Sequence, residues 1–354
     1  MRKLFIHIGT HKTGSTTIKS ALAKNRKFFV KHGLLYVNTK WSYEIMRLES
    51  ADSSLKERIY NEFTAAVNQH DPKGKLDVVI AAEKFSGNPY KAYGNAAILA
   101  EILKHAASGF EPIIVVYLRR QDTFLESLYT QSIHQGGSET FVDFLERVKV
   151  ADYQWQQLID SFAGEFGGDK VKVRSYDYVK SLGSQGLLND FLETIGYGQC
   201  IKELPDAGIR KEVNVGYSPE AVHFARLTNK YVPAEKQKAF RKALQASNRK
   251  QKGEQYAYME SGERTALFSK FSDANRVLAN RWMEEEHGNA LCSLPVQKEE
   301  PKKIPSNEEV FFKIVANYMA YNESKPKSDP ESVVKNVMMR YFPRVYRFLL
   351  NIIG

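Results

Sequence analysis

The sequence predicts an α/β fold: a parallel sheet flanked by helices, with a mainly helical C-terminal extension. Three observations predict it. Short apolar runs alternate with stretches of helical periodicity up to about residue 200, the pattern of βαβ units around a parallel sheet. The runs are apolar throughout rather than at every second residue, as in strands buried on both faces. Past about residue 200 the runs stop, and 218–290 is charged and helix-patterned.

The elements follow in order. LFIHI (4–8) reads as the first strand, and a glycine-bearing loop follows it. TIKSALAKNRKFFVKHG, starting at Thr17, has apolar residues near helical spacing and stops at Gly33. Residues 53–70 read as helix. LDVVIAAE (76–83) is a buried strand ending in a carboxylate, and AAILAEILKHAASG (96–109) is a helix with a glycine stop. PIIVVYLRR (112–120) is a strand ending in two arginines, TFLESLYTQSIH (123–134) a helix, and VKVRSY (171–176) a further strand. The organisation expected is a core at 1–215, a helical region at 216–293 that completes the core and the acceptor cleft, and a linker with C-terminal helices at 294–354. LPVQKEEPKKIPSNEE and ESKPKSDP are Pro- and Lys-rich linkers.

Composition bounds the function. The chain has 354 residues, 43% hydrophobic and 26% charged, which reads as globular. Its formal charge of +10 favours acidic ligands. Cys200 and Cys292 form no close pair, which argues against a disulfide scaffold or a thiolate metal site. LFIHI is too short for a signal-peptide core or a membrane span, so a cytoplasmic location is expected. No His/Cys/Asp cluster has metal-ligand spacing, and no metal requirement is expected.

In a parallel sheet, ligands bind at the carboxyl ends of the strands. Lys12, Glu83, Arg119, Arg120 and Tyr176 all fall there. Gly9 and Gly14 have the spacing of a phosphate loop, so the sheet is expected to be P-loop NTPase-like. Loop N–H groups and the following helix dipole would meet an anion, with hydroxyls from Ser15, Thr16 and Thr17. A triphosphate loop, however, has its lysine directly after the second glycine, reaching the β- and γ-phosphates. Here Lys12 sits inside the loop and is better placed for a group attached to one 5′-phosphate.

THKTGSTT, which holds Lys12, Thr13 and Gly14, resembles the 5′-phosphosulfate loop of sulfotransferases that use PAPS (3′-phosphoadenosine 5′-phosphosulfate). That loop carries a lysine followed by small and hydroxyl residues. The family's second motif is an arginine after a buried strand, with a serine eight residues on, both holding the 3′-phosphate. VVYLRRQDTFLES supplies Arg119 and Ser127 at that spacing, although Arg120 and Gln121 stand where the family often has Asp/Asn-Pro. VRSYD resembles a strand-end segment that would place Tyr176 near the adenine. In IRKEVNVGYS, Arg210 and Lys211 resemble a basic loop closing over the 3′-phosphate. The resemblance covers roughly residues 1–225 and is closest in style to bacterial and glycan-modifying members. It implies a transferase of the EC 2.8.2 type, with PAPS as donor and PAP as product.

Sulfuryl transfer needs a base for the acceptor proton and positive charge at the leaving phosphate oxygen. VIAAEKFSGNPY looks like the glycan-sulfotransferase stretch with a Glu-Lys pair after its strand, which makes Glu83 the candidate base and puts Lys84 on the acceptor side. Small-phenol relatives have a histidine about here, and this segment has none. Lys12 would neutralise the oxygen bridging phosphate and sulfate. His134 either lines the acceptor cleft or is the charge ending its helix. His11 reads as loop-structural or solvent-facing, and His7 as a satisfied core histidine. Tyr153, Trp155, Tyr256 and Tyr258 read chiefly as packing residues.

The expected acceptor is a hydroxyl of a glycan, glycolipid or cell-envelope precursor. Arg340, Arg344 and Arg347 share one face of a C-terminal basic helix, which either docks on protein or lies on an anionic membrane at its inner face. Homo-oligomerisation is open. Two other classes compete with the leading reading. One is a P-loop nucleotide or small-molecule kinase. The other is a non-enzymatic polyanion-binding protein, although nothing here resembles a nucleic-acid recognition motif.

Overall fold

The computed structural model describes residues 1–205, 216–248, 258–294 and 309–317, apart from 312 and 316. Arg210, Lys211, Tyr256 and the C-terminal basic helix fall outside the described residues. The fold is α/β as predicted, a five-stranded parallel sheet flanked by helices.

The strands are β1 (Lys3–Gly9), β2 (Leu34–Tyr36), β3 (Asp77–Ala81), β4 (Glu111–Leu118) and β5 (Val171–Ser175). Their order is β2-β3-β1-β4-β5. β1 lies in the middle, pairing Phe5 with Val79 on one side and with Ile113 on the other. Leu4, Ile6, Val78, Ile80 and Ile114 on one face and Phe5, Val79, Val115 and Tyr117 on the other are all buried, which is why the runs carry no alternation. β2 escapes sequence reading because it has only three residues directly after Gly33, whose φ of +89° ends the preceding helix.

The helices of the first half are α1 (Ser15–Lys24), α2 (Arg26–Lys31), α3 (Ser42–Ile45), α4 (Ser53–His70), α5 (Ala96–Ala106), α6 (Gln121–His134) and α7 (Phe141–Arg147). They continue as α8 (Trp155–Phe166), α9 (Tyr176–Ser181), α10 (Gly186–Thr194), α11 (Pro219–Thr228), α12 (Gln237–Ser247), α13 (Ser261–Trp282) and α14 (Glu285–Cys292). The single helix expected after the glycine loop is two. Asn25 breaks it by donating both its backbone N–H and its side-chain amide to the Ala21 carbonyl. α4 forms where predicted: Asp52 caps it by accepting from Leu55 N–H at 2.7 Å, and Ile59, Phe63 and Val67 bury one stripe.

The described chain divides into two compact units. The first comprises the described residues of Met1–Leu125, Glu146–Val213 and Arg264–Val296 and holds the whole sheet. The second comprises those of Glu126–Leu145, Asn214–Glu263 and Gln297–Gly354 and is helical among the described residues. Within it the Asn229 amide donates to the carbonyls of Ile133 (2.8 Å) and Gly137 (2.7 Å). Among the described residues, no helix is long and apolar enough to cross a membrane.

In the first unit a buried polar network fastens α14 to the sheet. Tyr117 and Arg174 both donate to Asp190, at 2.5 and 2.6 Å. His287 Nε2 lies 3.1 Å from the same carboxylate, while its Nδ1 accepts from Ser175 N–H at 2.8 Å. Burial raises the Asp190 pKa, but hydrogen bonds from His287, Arg174 and Tyr117 outweigh it and lower the value to about 2.

Candidate active site

β1 and β4 are neighbours whose chains leave in opposite directions, toward β2 and toward β5. Such a switch point opens a crevice at the carboxyl ends of the strands. The loop after β1 and the arginines after β4 flank it.

The loop begins at Gly9, φ +90°. A Cβ on Gly9 would stand 2.8 Å from the Glu83 Cα, so the loop approaches the end of β3 more closely than any other residue allows. Thr10 ties the loop to β4, donating its N–H (2.9 Å) and Oγ1 (3.1 Å) to the Tyr117 carbonyl. Thr13 is fully buried, and its hydroxyl closes the loop on the Thr10 carbonyl at 2.6 Å instead of facing outward. Lys12 takes a left-handed φ of +63°, a conformation that costs a non-glycine residue about 1–3 kcal/mol and recurs at functional sites. Gly14 follows at φ +77°, where a Cβ would meet Leu187 at 2.5 Å and Tyr176 at 3.4 Å.

α1 then opens with no side-chain cap and no acidic residue in its first turn. Thr17 N–H donates to the Gly14 carbonyl at 2.8 Å, and the N–H groups of Ser15 and Thr16 with the positive end of the dipole are left for an anion. The Ser15 hydroxyl donates to Glu83 Oε2 at 2.7 Å, while Thr16 is exposed and Thr17 half-buried. The Lys12 side chain is open to solvent. Desolvation, and then the like charge of Arg119, lower the Lys12 ammonium to about 8 against the pull of Glu83.

The two histidines of this region serve the framework. His11 is not solvent-facing: it is buried, its N–H donates to Tyr93 Oη (3.1 Å), and its Nδ1 lies 3.3 Å from the same oxygen. His7 is a core residue as expected but not a satisfied one. It packs on Tyr117 and Phe191, and among the described residues neither ring nitrogen has a hydrogen-bond partner. Desolvation lowers both imidazoles to about 3, so both are neutral.

After β4 the two arginines part company. Arg120 is buried and committed: Nε and Nη2 grip Asp122 at 3.0 and 3.1 Å, and Nη1 donates to the Ser293 carbonyl at 2.9 Å. Arg119 is half-buried, donating from Nε to Thr123 Oγ1 (3.0 Å) and from Nη1 to the Lys12 carbonyl (3.2 Å). Its guanidinium lies 5.5 Å from the ring centre of Tyr176, the residue that opens α9. Lys180, one turn further along α9, is a cation the sequence reading missed. Desolvation lowers its pKa and Arg119 lowers it further.

Glu83 begins a 3-10 turn, Glu83–Ser86, right after β3. Its Oε2 accepts from Ser15 and from Lys19 Nζ, each at 2.7 Å, and its Oε1 from Lys84 Nζ at 2.9 Å. Burial pushes the carboxyl up, but Lys19, then Lys84 and Ser15, outweigh it and hold the group far below the usual carboxylate range. Lys19 was missed by sequence reasoning. Its position four residues after Ser15, hence on the same helix face, is the signal that could have found it.

Of the predicted site residues, Lys12, Gly14, Arg119 and Tyr176 come together, as do Ser15, Glu83 and Lys84. Ser127 and His134 belong to the second unit, where His134 packs edge-on against Tyr217 with ring centres 3.9 Å apart. Among the described residues, no group of three or more His, Cys, Asp or Glu side chains is placed to hold a metal ion.

No protein-family model matches the sequence, and no curated protein matches it. Among solved structures, the chain is similar to a sulfotransferase from Alicyclobacillus acidocaldarius at 15% identity and a TM-score of 0.41. The match covers 67% of this chain and 99% of that one.

Proposed function

We propose that this protein transfers a sulfuryl group from PAPS to a hydroxyl of a glycan, glycolipid or cell-envelope precursor. The observation that carries the reading is the Arg119 guanidinium reaching the Lys12 carbonyl, 3.2 Å away, across the β1–β4 crevice. An adenosine with phosphates at both ribose ends needs two cationic pockets side by side. Lys12 and the uncapped start of α1 would hold the 5′ end, with Thr13, Ser15 and Thr16 contributing N–H groups and Thr17 its hydroxyl. Arg119 would hold the 3′-phosphate in the bidentate way open to a guanidinium. Arg210 and Lys211 would join it, and Tyr176 offers a flat face to the adenine.

PAPS supplies a sulfuryl group on a phosphate leaving group. The acceptor oxygen bonds to sulfur as the sulfur–oxygen bond to the 5′-phosphate breaks, and the hydroxyl proton passes to a base. Lys12 would neutralise the departing oxygen. Glu83 is ionised and so able to take the proton, but Lys19 and Lys84 make it a weak base as long as both hold it. The kinase alternative needs a carboxylate at the end of β3 for its metal ion, and Glu83 has both oxygens engaged with lysines.

Calorimetric titration of the full chain tests the donor. PAP is expected to bind in EDTA, with adenosine 5′-phosphate at least about tenfold weaker for lack of the 3′-phosphate. A preference for ATP with Mg²⁺ over PAP would transfer the site to the kinase reading. Weak binding of every polyanion with a steep salt dependence would favour the non-enzymatic one.

A further inference from the structure

Next to the Glu83 cluster the surface of the first unit sinks into a recess of about 250 Å³. Its lining includes Lys19, Lys40, Lys84, Asn38, Thr39 and Tyr43. Drug-sized pockets run to ~300–1,000 Å³ and are mostly apolar, so this one suits a single small polar unit. It is also unbalanced in charge, with three ammonium groups to the one carboxylate that Lys19 and Lys84 share. Lys84 is largely buried, its Nζ pinned between Glu83 (2.9 Å) and the face of the Tyr43 ring (3.7 Å). Tyr43 itself is 73% exposed, a large aromatic face at the rim with room for a ring to lie on it.

We propose that this recess is the acceptor subsite, that it takes a hydroxylated ring bearing an anionic group, as in an acidic saccharide, and that the anion draws Lys19 or Lys84 off Glu83 and so arms the carboxylate as the base. The proposal rests on the sulfotransferase reading above.

The lining argues for each part. A phenol or a lipid tail would meet ammonium groups and amide or hydroxyl side chains, which pay a desolvation cost and receive no bond in return. A sugar's hydroxyls can pair with Asn38 and Thr39, and its carboxylate or sulfate with the lysines. The same lysines hold Glu83 in its weakly basic state. Each cation within about 4–6 Å lowers a carboxyl pKa by about 1–3 units, so a lysine turned toward the substrate restores much of that basicity. The acceptor proton then goes to Glu83 as the acceptor oxygen bonds to sulfur, and the electron pair of the broken sulfur–oxygen bond leaves with PAP. A neutral acceptor would bind poorly and would also leave the base disarmed.

The test uses the full chain, with and without PAP, and two labelled probes: a hyaluronan hexasaccharide, which carries carboxylates, and neutral chitohexaose. Lys40→Glu changes the recess without touching Glu83. Lys27→Glu makes the same net charge change on the exposed face of α2. The acidic hexamer is expected to bind about tenfold tighter than the neutral one. Lys40→Glu should lose about tenfold while Lys27→Glu stays within about twofold. The ¹³C carboxyl signal of Glu83, identified by its absence in Glu83→Gln, should titrate at higher pH once the hexamer is bound. Equal binding of the two probes, equal losses from both lysine changes, or a Glu83 titration unmoved by the hexamer would each overturn the proposal. PAP binding that fails while the hexamer still depends on Lys40 would sink the donor reading and leave an acidic-saccharide site. The reverse pattern would sink the recess alone.

Discussion

Lys19 on α1 and Glu83 at the end of β3 meet at 2.7 Å, binding the first helix after the glycine loop to the neighbouring strand. The pair couples the start of α1 to the candidate base, because Ser15, on the same helix face, donates to the same carboxylate oxygen.

The depressed Glu83 pKa makes the pair a pH-dependent element of stability. A carboxyl lowered on folding contributes stability above its unfolded pKa, about 4.3, and loses it as pH falls through the lower folded value. Glu83→Gln removes this contribution. Denaturant melts between pH 6 and 2.5 should therefore show the wild type losing more on acidification than the variant. Parallel losses would mean that the lysines do not recognise the carboxylate.

Lys12 gives a second pH signature. Its ammonium, lowered to about 8, must be charged to attract a phosphate. PAP affinity should be level below about pH 8 and fall above it by no more than the loss that Lys12→Ala itself causes. Lys12→Ala should abolish that dependence and lower turnover by about 10²–10³, with a much smaller loss in PAP affinity. Equal losses in turnover and affinity would reduce Lys12 to a binding group.

Arg119 and Arg120 should fail differently. Arg119→Ala is expected to weaken PAP by about 1.5–3 kcal/mol, the worth of a hydrogen bond to a charged group, and leave the melting temperature nearly unchanged. Arg120→Ala strips a bidentate partner from the buried Asp122, leaving only Arg264 of the two guanidiniums that hold it. It should destabilise the fold by about 3 kcal/mol. Thermal melts beside PAP titrations separate the two, and an unfolded Arg119→Ala protein would contradict the assignment.

Gly9→Ala should be among the most damaging single-methyl changes in the first unit. It meets both a forbidding φ of +90° and the Glu83 backbone at 2.8 Å. A lower melting temperature together with lost PAP binding is expected. Binding at wild-type strength would show that the loop tolerates a shift away from β3.

Most of the sheet was legible because it is buried on both faces, and a buried parallel strand writes itself as an apolar run. β2 was not, since its three residues are shorter than any period. The split between α1 and α2 was hidden as well, because Asn25 breaks the helix by a side-chain bond that leaves the apolar spacing intact. Loop residues were found through their glycines and lysine, whose types are dictated by backbone geometry and charge. Lys19 and Lys180 carry no such signature. A lysine on a helix reads as solvated surface until the fold brings it to a carboxylate or an arginine. The commitment of Arg120 was likewise invisible, because its partners include a carbonyl at Ser293, far along the chain. Tyr153 and Trp155 are buried packing residues, as expected.

His287 and Ser293 reach back from late in the chain to close the sheet's own polar contacts. The sheet-bearing unit therefore cannot be harvested by trimming the gene after the last strand. A fragment ending near residue 205 would expose the groove that α14 fills and deprive Arg120 and Asp190 of partners. The smallest independently folding piece should extend through residue 293, and partial proteolysis should release such a piece intact before any shorter one.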